Sequence, residues 1–383
     1  MSTLMQNAVL DKAAARPAAP AAGRIEFLSR YKGFLAVFVV LIHTGITYGA
    51  VGGWDFVDKN DVVWLGVVTT WINALAQSFV LGAFFFISAY FLPRSLAKKG
   101  PARLLLDRLV KLGIPYAIYY FLGMPFLIAV AEWGKGQPFR LHPYFNSGPL
   151  WFVEALFIFT LVYLVVKLFR KDSRPIFLPK GMPSRAIIVV YIAAAAVIGF
   201  AVRLVYPAGQ AIHNLQLGYF PMYVLLFAAG IKAGEEGWLE KIAEMKIGVW
   251  IAPAAICAAS FLPLMVLGGA LDSGADAFLG GLTWQSAAYA AWEAVGGTSL
   301  FIVSIVLFAR ARWKASRLGA SFGGASFGIY LMHGLVIIPA AVGLYFLPLH
   351  PALKWVLLSV AGVCVSWGLT VALKKVPGVS KVM

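Results

Sequence analysis

Ten apolar runs, each about twenty residues long, take up most of this chain. They fall near 31–50, 72–92, 112–130, 149–169, 186–205, 215–231, 247–268, 287–309, 327–347 and 352–373. A hydrocarbon core is about 30 Å thick and a helix rises about 1.5 Å per residue, so each run can reach across one. Backbone N–H and C=O groups find no water there, and a helix satisfies them within the segment. With 61% hydrophobic and 13% charged residues in 383, the intervals between the runs leave no room for a soluble domain. The expected fold class is all-α: a polytopic membrane protein, a bundle of about ten transmembrane helices.

A net charge of +16 raises nucleic acid as a partner, but its distribution argues against that. With loops assigned alternately to two sides, roughly 27 of the 32 Lys and Arg fall on one set and about 5 on the other. That is the asymmetry of cytosolic and outer faces, so both termini are expected in the cytosol and the lipid bilayer is the expected partner. The inner loops carry Arg94, Lys98, Lys99, Arg103, Arg108 and Lys111, then Lys167, Arg170, Lys171, Arg174, Lys180 and Arg185, then Arg310, Arg312, Lys314 and Arg317. Cys257 and Cys364 lie within apolar runs, where a thiol behaves as a small hydrophobe, and suggest neither a disulfide nor a metal site.

Residues 1–24, rich in Ala and Pro, read as a disordered cytosolic tail, and 25–383 as the ten-span membrane domain. The first long run starts only after Arg30 and is expected to be retained as a span, not cleaved as a signal. Residues 62–71 are apolar but short, and predict an interfacial segment anchored by Trp64 and Trp71 ahead of the second span. Asn73, Gln77 and Ser78 follow at helical spacing, where polar groups glue helices or meet substrate. Pro93 and the Gly100–Pro101 pair break the chain. Arg103, Arg108 and Lys111 then recur at the inner mouth, where guanidinium forks suit a phosphate-bearing donor as well as they set topology. The outer loop from Ala131 to Pro149 carries Trp133, Gln137, Arg140, His142, Tyr144 and Asn146. These side chains fit a carbohydrate-like acceptor as well as a headgroup-level belt.

The stretch from Arg30 to Ala50 joins a basic foot to a buried histidine. From Lys32 to His43 is eleven positions, about 1100° of helical turn and about 16 Å of rise, so the two share a face at different depths. A cation at the cytosolic edge and an imidazole near mid-depth are aligned to hold a charged donor and receive its reactive end. Glu154, Glu293 and His333 are the other ionisable groups well inside the runs, and such groups face cavities or partners. Counting along each run puts His43, Glu154 and Glu293 in the outer half and Lys32 and His333 in the inner half. Tyr330, three positions before His333, shares its face.

The segments KGFLAVFVVLIH (Lys32 to His43), FFFISAYFLPRSL with its basic sequel, GPLWFVEALFIF and ASFGIYLMH, in this order, resemble the membrane-bound acyltransferase-3 family, within it the glucan biosynthesis protein C-like branch. The resemblance runs from about Glu26 to Leu373. The family's first span carries an Arg, ten residues and a His; here Lys32 stands for the Arg, keeping the charge and losing the planar fork.

The resemblance implies an integral membrane O-acyltransferase of the bacterial inner membrane. Its donor substrate would be cytosolic acyl-CoA, acetyl-CoA or succinyl-CoA, with no permanently bound cofactor. Its acceptor would be a hydroxyl of an extracytoplasmic glycan or glycolipid. On that reading His43 is the general base or acyl relay, Lys32 with Arg103, Arg108 and Lys111 holds the donor, Tyr330 and His333 line the donor path, and Glu154 serves the acceptor side. A proton-coupled transporter or flippase of a lipid-linked or acylated sugar is the alternative, though no internal repeat supports it.

Overall fold

The computed structural model describes residues 22–169, 181–312 and 316–383, with side chains from Phe27 onward except that of Lys381. Residues 1–21 of the expected tail, and the predicted topology residues Arg170, Lys171, Arg174, Lys180 and Lys314, lie outside the described residues. Ten helices are long and apolar enough to cross a membrane, and no sheet occurs among the described residues. They are α1 (Ala22–Thr47), α2 (Val63–Tyr90), α3 (Pro101–Gly134), α4 (Trp151–Phe169), α5 (Arg185–Arg203), α6 (Phe220–Glu236), α7 (Gly248–Leu267), α8 (Trp284–Arg310), α9 (Ser326–Tyr345) and α10 (Pro351–Leu373). The chain is an all-α polytopic membrane protein.

Helix α2 is the most enclosed element and packs on α1, α6 and α8. Helix α9 packs on α1, α3 and α10, so α1 lies between two buried neighbours. Helices α5, α7 and α10 are the most outward, with Val190, Val197, Ile256, Leu267 and Val360 exposed as lipid-facing side chains require. Close approach at the centre depends on small residues, since lipid tails give apolar helices no hydrophobic reason to associate. A Cβ at Gly230 or Gly234 of α6 would come within 2.3 Å of the Phe86 carbonyl oxygen or 2.1 Å of that of Tyr90.

Two segments differ from the sequence expectation. Residues 63–71 are the first turns of a continuous α2 and not a segment apart from the second span: no Gly or Pro pair interrupts the run, and Thr69 bonds back to the Leu65 carbonyl. The basic stretch before the third span is helical from Pro101, whose missing N–H costs nothing at a first helical position. It runs on through π-helical turns at Leu109–Gly113 and Tyr119–Gly123, a feature frequent near functional sites.

The connection from α1 to α2 folds back over the end of α1. Gly52 takes φ +155°, and a Cβ there would strike Ile46. The Asp58 amide donates to the Thr47 carbonyl at 2.9 Å, Asn60 Nδ2 donates to that of Tyr48, and Lys354 Nζ of α10 donates to Asp58 Oδ2 at 3.2 Å. These bonds pin Trp54 against α1 and α9.

Candidate functional site

Helices α1 and α9 bring His43 and His333 together. Phe322 and Gly323, just ahead of α9, pack on Ser29 and Gly33 of α1. His43 is ten residues beyond Gly33, and His333 ten beyond Gly323, so both rise to one level. Their ring centroids are 4.8 Å apart. The expectation of separate layers fails because Ser326 begins within the bundle, above the short helix Arg317–Gly324, so counting from the start of the apolar run placed His333 too shallow. Trp54 covers both rings, its centroid 4.2 Å from His43 and 6.4 Å from His333.

Hydrogen bonds fix the form of each imidazole. His43 Nδ1 lies 2.8 Å from the Val39 carbonyl oxygen, and His333 Nδ1 bonds the Tyr330 carbonyl. A carbonyl only accepts, so in both rings Nδ1 carries a proton, and in the neutral ring Nε2 keeps its lone pair. His43 lines a cavity of about 480 Å³ at the end of the bundle remote from Lys32. His333 lies behind that wall, fully buried, its Nε2 without a partner. Tyr330 also lines the cavity and donates its hydroxyl to the Pro149 carbonyl. The Tyr119 hydroxyl, on the second π-helical turn, is buried and unpartnered against Gly334.

The cavity wall sets aromatic and amide side chains, Trp151, Tyr219, Tyr289, Asn73, Gln77 and Asn214 among them, between aliphatic ones such as Ile42, Leu81 and Met265. Asn73 donates to the Ile42 carbonyl beside His43, and Gln77 to the Tyr223 hydroxyl, so both join helices while facing the cavity. Ser78 bonds its own helix at Leu75. His213 and Asn214 adopt φ of 48° and 67°, a strained pair held by Asn146 and Ser147. Asp55 lines the cavity too; burial pushes its carboxyl above the usual range, partly offset by Lys135.

At the other end of α1, Lys32 interacts with the charges of Lys111 and Lys374, and Lys111 with those of Arg108 and Lys99. Among the described residues no acidic group pairs with Lys32. Burial lowers the Lys374 ammonium below its usual range, and its Nζ donates to the Gly324 carbonyl at 2.7 Å. Lys111 Nζ stands 5.7 Å over the Phe327 ring. Phe327 stacks on Tyr330 at 6.5 Å, and Tyr330 lies 5.6 Å from His333. One face of α9 thus carries a ladder of rings from the cations to the histidines.

The predicted residues divide accordingly. His43, His333 and Tyr330 meet at one place. Lys32, Lys111 and Arg108 gather at another, while Arg103 is exposed on Asp107 at 3.5 Å. Glu154 lies outside the cavity lining and accepts from the Tyr116 hydroxyl at 2.9 Å. Glu293 is paired with Arg203, whose guanidinium lies between the rings of Tyr219 and Tyr289. Sequence reasoning missed Lys374, Asp55 and Arg203. Each sits at the end of a run or in a loop, where its charge reads as topology or solvation. No group of three or more metal-ligating side chains occurs among the described residues.

Ten spanning helices packed around a cavity lined by a histidine define a class: a polytopic membrane protein with an internal site. The particular family follows from comparison. The chain belongs to the acyltransferase-3 family, whose model, described as an acyltransferase domain, matches residues 25–371. It is a multi-pass membrane acyltransferase. The search of curated proteins and that of solved structures found no match.

Proposed function

We propose that the protein is an O-acyltransferase that takes an acetyl or succinyl group from acyl-CoA in the cytosol and places it on a hydroxyl of an extracytoplasmic glycan or glycolipid. The observation that carries this reading is His43, its Nδ1 engaged by the Val39 carbonyl and its ring lining a cavity that carries aromatic and amide side chains. Such walls suit sugar rings and their hydroxyls. The opposite pole supports the donor side. Lys32, Lys111, Lys374 and Arg108 make a cation cluster suited to phosphates, though as point charges where Lys replaces an Arg fork. The ring ladder Phe327, Tyr330, His333 joins the cation cluster to the histidines along one face of α9.

In the mechanism that follows, His43 Nε2 takes the proton of the acceptor hydroxyl as its oxygen attacks the acyl carbon. Val39 holds the ring in the tautomer that leaves this nitrogen free. Trp54 lies over the ring and limits access of water, the competing acceptor. Glu154 is assigned to the acceptor side, where it accepts from the Tyr116 hydroxyl outside the cavity lining. Both termini lie in the cytosol of a bacterium, the membrane being the inner one. The test is mass spectrometry of envelope glycans from cells with and without the protein. A family of glycans heavier by one acyl group only in its presence is expected. Identical glycans, with proton-gradient-dependent export of a sugar lipid instead, would overturn the reading in favour of a transporter.

A further inference from the structure

The mechanism above gives His43 a proton and leaves open how the departing thiolate acquires one. His333 is placed between the two sides of the reaction. It touches His43, which faces the cavity, and it ends the ring ladder that rises from the cation cluster. Its Nδ1 is committed to the Tyr330 carbonyl, and its Nε2 is a buried acceptor with no donor. An unpaired acceptor in such a place is destabilising, and a donor arriving during the reaction recovers that loss. The neighbouring ring becomes such a donor once it has taken the acceptor's proton. The Tyr119 hydroxyl of α3, a second buried polar group without a partner, packs on the same stretch of α9 at Gly334.

We infer that His333 is the general acid for the leaving group: its Nε2 takes the proton from His43 and delivers it to the sulfur of the departing thiol. This rests on the acyl-thioester reading above. The step balances. The acceptor oxygen forms a bond to the acyl carbon as its proton passes to His43 Nε2. The carbon–sulfur bond then breaks, its electron pair goes to sulfur, and the proton moves through His333 Nε2 onto that sulfur. The products are an ester and a free thiol, and both rings return to the Nδ1-protonated form. In an enclosed, weakly polar site an unprotonated thiolate would be a buried charge without a partner, which is what the transfer avoids.

The test uses His333→Asn, whose amide keeps a donor for the Tyr330 carbonyl and removes Nε2. Membrane vesicles containing the full chain receive one of two labelled donors: acetyl-CoA, or the acetyl thioester of 4-nitrothiophenol, whose thiolate is weakly basic and leaves without a proton. Incorporation of label into vesicle material is measured. With acetyl-CoA the variant should be slower by ~100-fold, the lower end expected for a general acid. With the aryl thioester it should stay within about threefold of the unaltered protein, which also shows that it is folded. His43→Ala should lose both activities. Equal loss with the two donors, or no loss with acetyl-CoA, overturns the assignment and leaves His43 as base untouched. Vesicles of the unaltered protein that use neither of these donors nor succinyl-CoA overturn the acyl-transfer reading and this assignment with it.

Discussion

At the scale of single residues, the arrangement turns on which ring nitrogen is free. His43 spends Nδ1 on the Val39 carbonyl four residues back, so the whole reactive capacity of the ring lies at Nε2. Replacing His43 with Ala should leave a folded protein, because a partly exposed side chain on a long helix contributes little to packing. Acyl transfer in vesicles should fall by about 10²–10⁴-fold. Unchanged transfer by His43→Ala would sink the proposal. Asp55 makes a second prediction, on stability. Burial raises its carboxyl in the folded state, against the opposing charge of Lys135. The folded state therefore binds that proton more tightly than the unfolded one. The resulting stabilisation is present below the unfolded pKa, about 3.9, and is lost as pH climbs through the folded value. Asp55→Asn removes the effect. The Tm of the unaltered protein should fall relative to the variant as pH rises from about 4, and a difference that is flat with pH would contradict it.

At the scale of elements, the runs of apolar residues were legible because length and hydropathy alone decide whether a helix can cross a bilayer. All ten runs correspond to helices. What escaped was where each helix stops and how deep each residue lies. The Thr and Trp residues at the start of α2 read as an interface, yet Thr69 hides its hydroxyl on the Leu65 carbonyl and Trp71 Nε1 donates to the Ala258 carbonyl of α7. Once those polar atoms are bonded within the bundle, the helix has no reason to end. Depth counting failed for His333 for a related reason: the apolar run does not record that the chain ahead of it already lies against α1. The contact of α2 with α6 gives an element-level prediction. Gly234→Ala would place a Cβ 2.1 Å from the Tyr90 carbonyl oxygen, a backbone atom on the most enclosed helix. The helices must move apart, at a cost toward the upper end of about 1–3 kcal/mol, and Tm in detergent should drop. Gly199→Ala, on α5, where nothing lies within 4 Å, should leave Tm unchanged. If both variants melt alike, close packing of α6 on α2 does not limit stability.

At the scale of the whole molecule, direction is the property that gives the two poles meaning. One pole gathers Lys32, Lys111, Lys374 and Arg108. The other holds the cavity with Trp54, Asp55 and Asn214. An even number of spans puts the described ends of the chain on one side, and the proposed orientation, drawn from the excess of Lys and Arg under the positive-inside rule, makes that side the cytosol. The family match is blind to this, and so is the geometry, which would be the same in either orientation. Only labelling decides it. Cys257 and Cys364 lie in α7 and α10, so a background with both changed to Ala keeps the loops intact. In that background Arg140→Cys, in the exposed loop between α3 and α4, should react in whole cells with a membrane-impermeant maleimide. Lys375→Cys, two residues past the end of α10, should react only after the membrane is opened. The reverse pattern would turn the cation cluster outward. A donor made in the cytosol would then meet the aromatic and amide cavity first, and transfer from acyl-CoA to an external hydroxyl would lose its physical basis even with His43 intact.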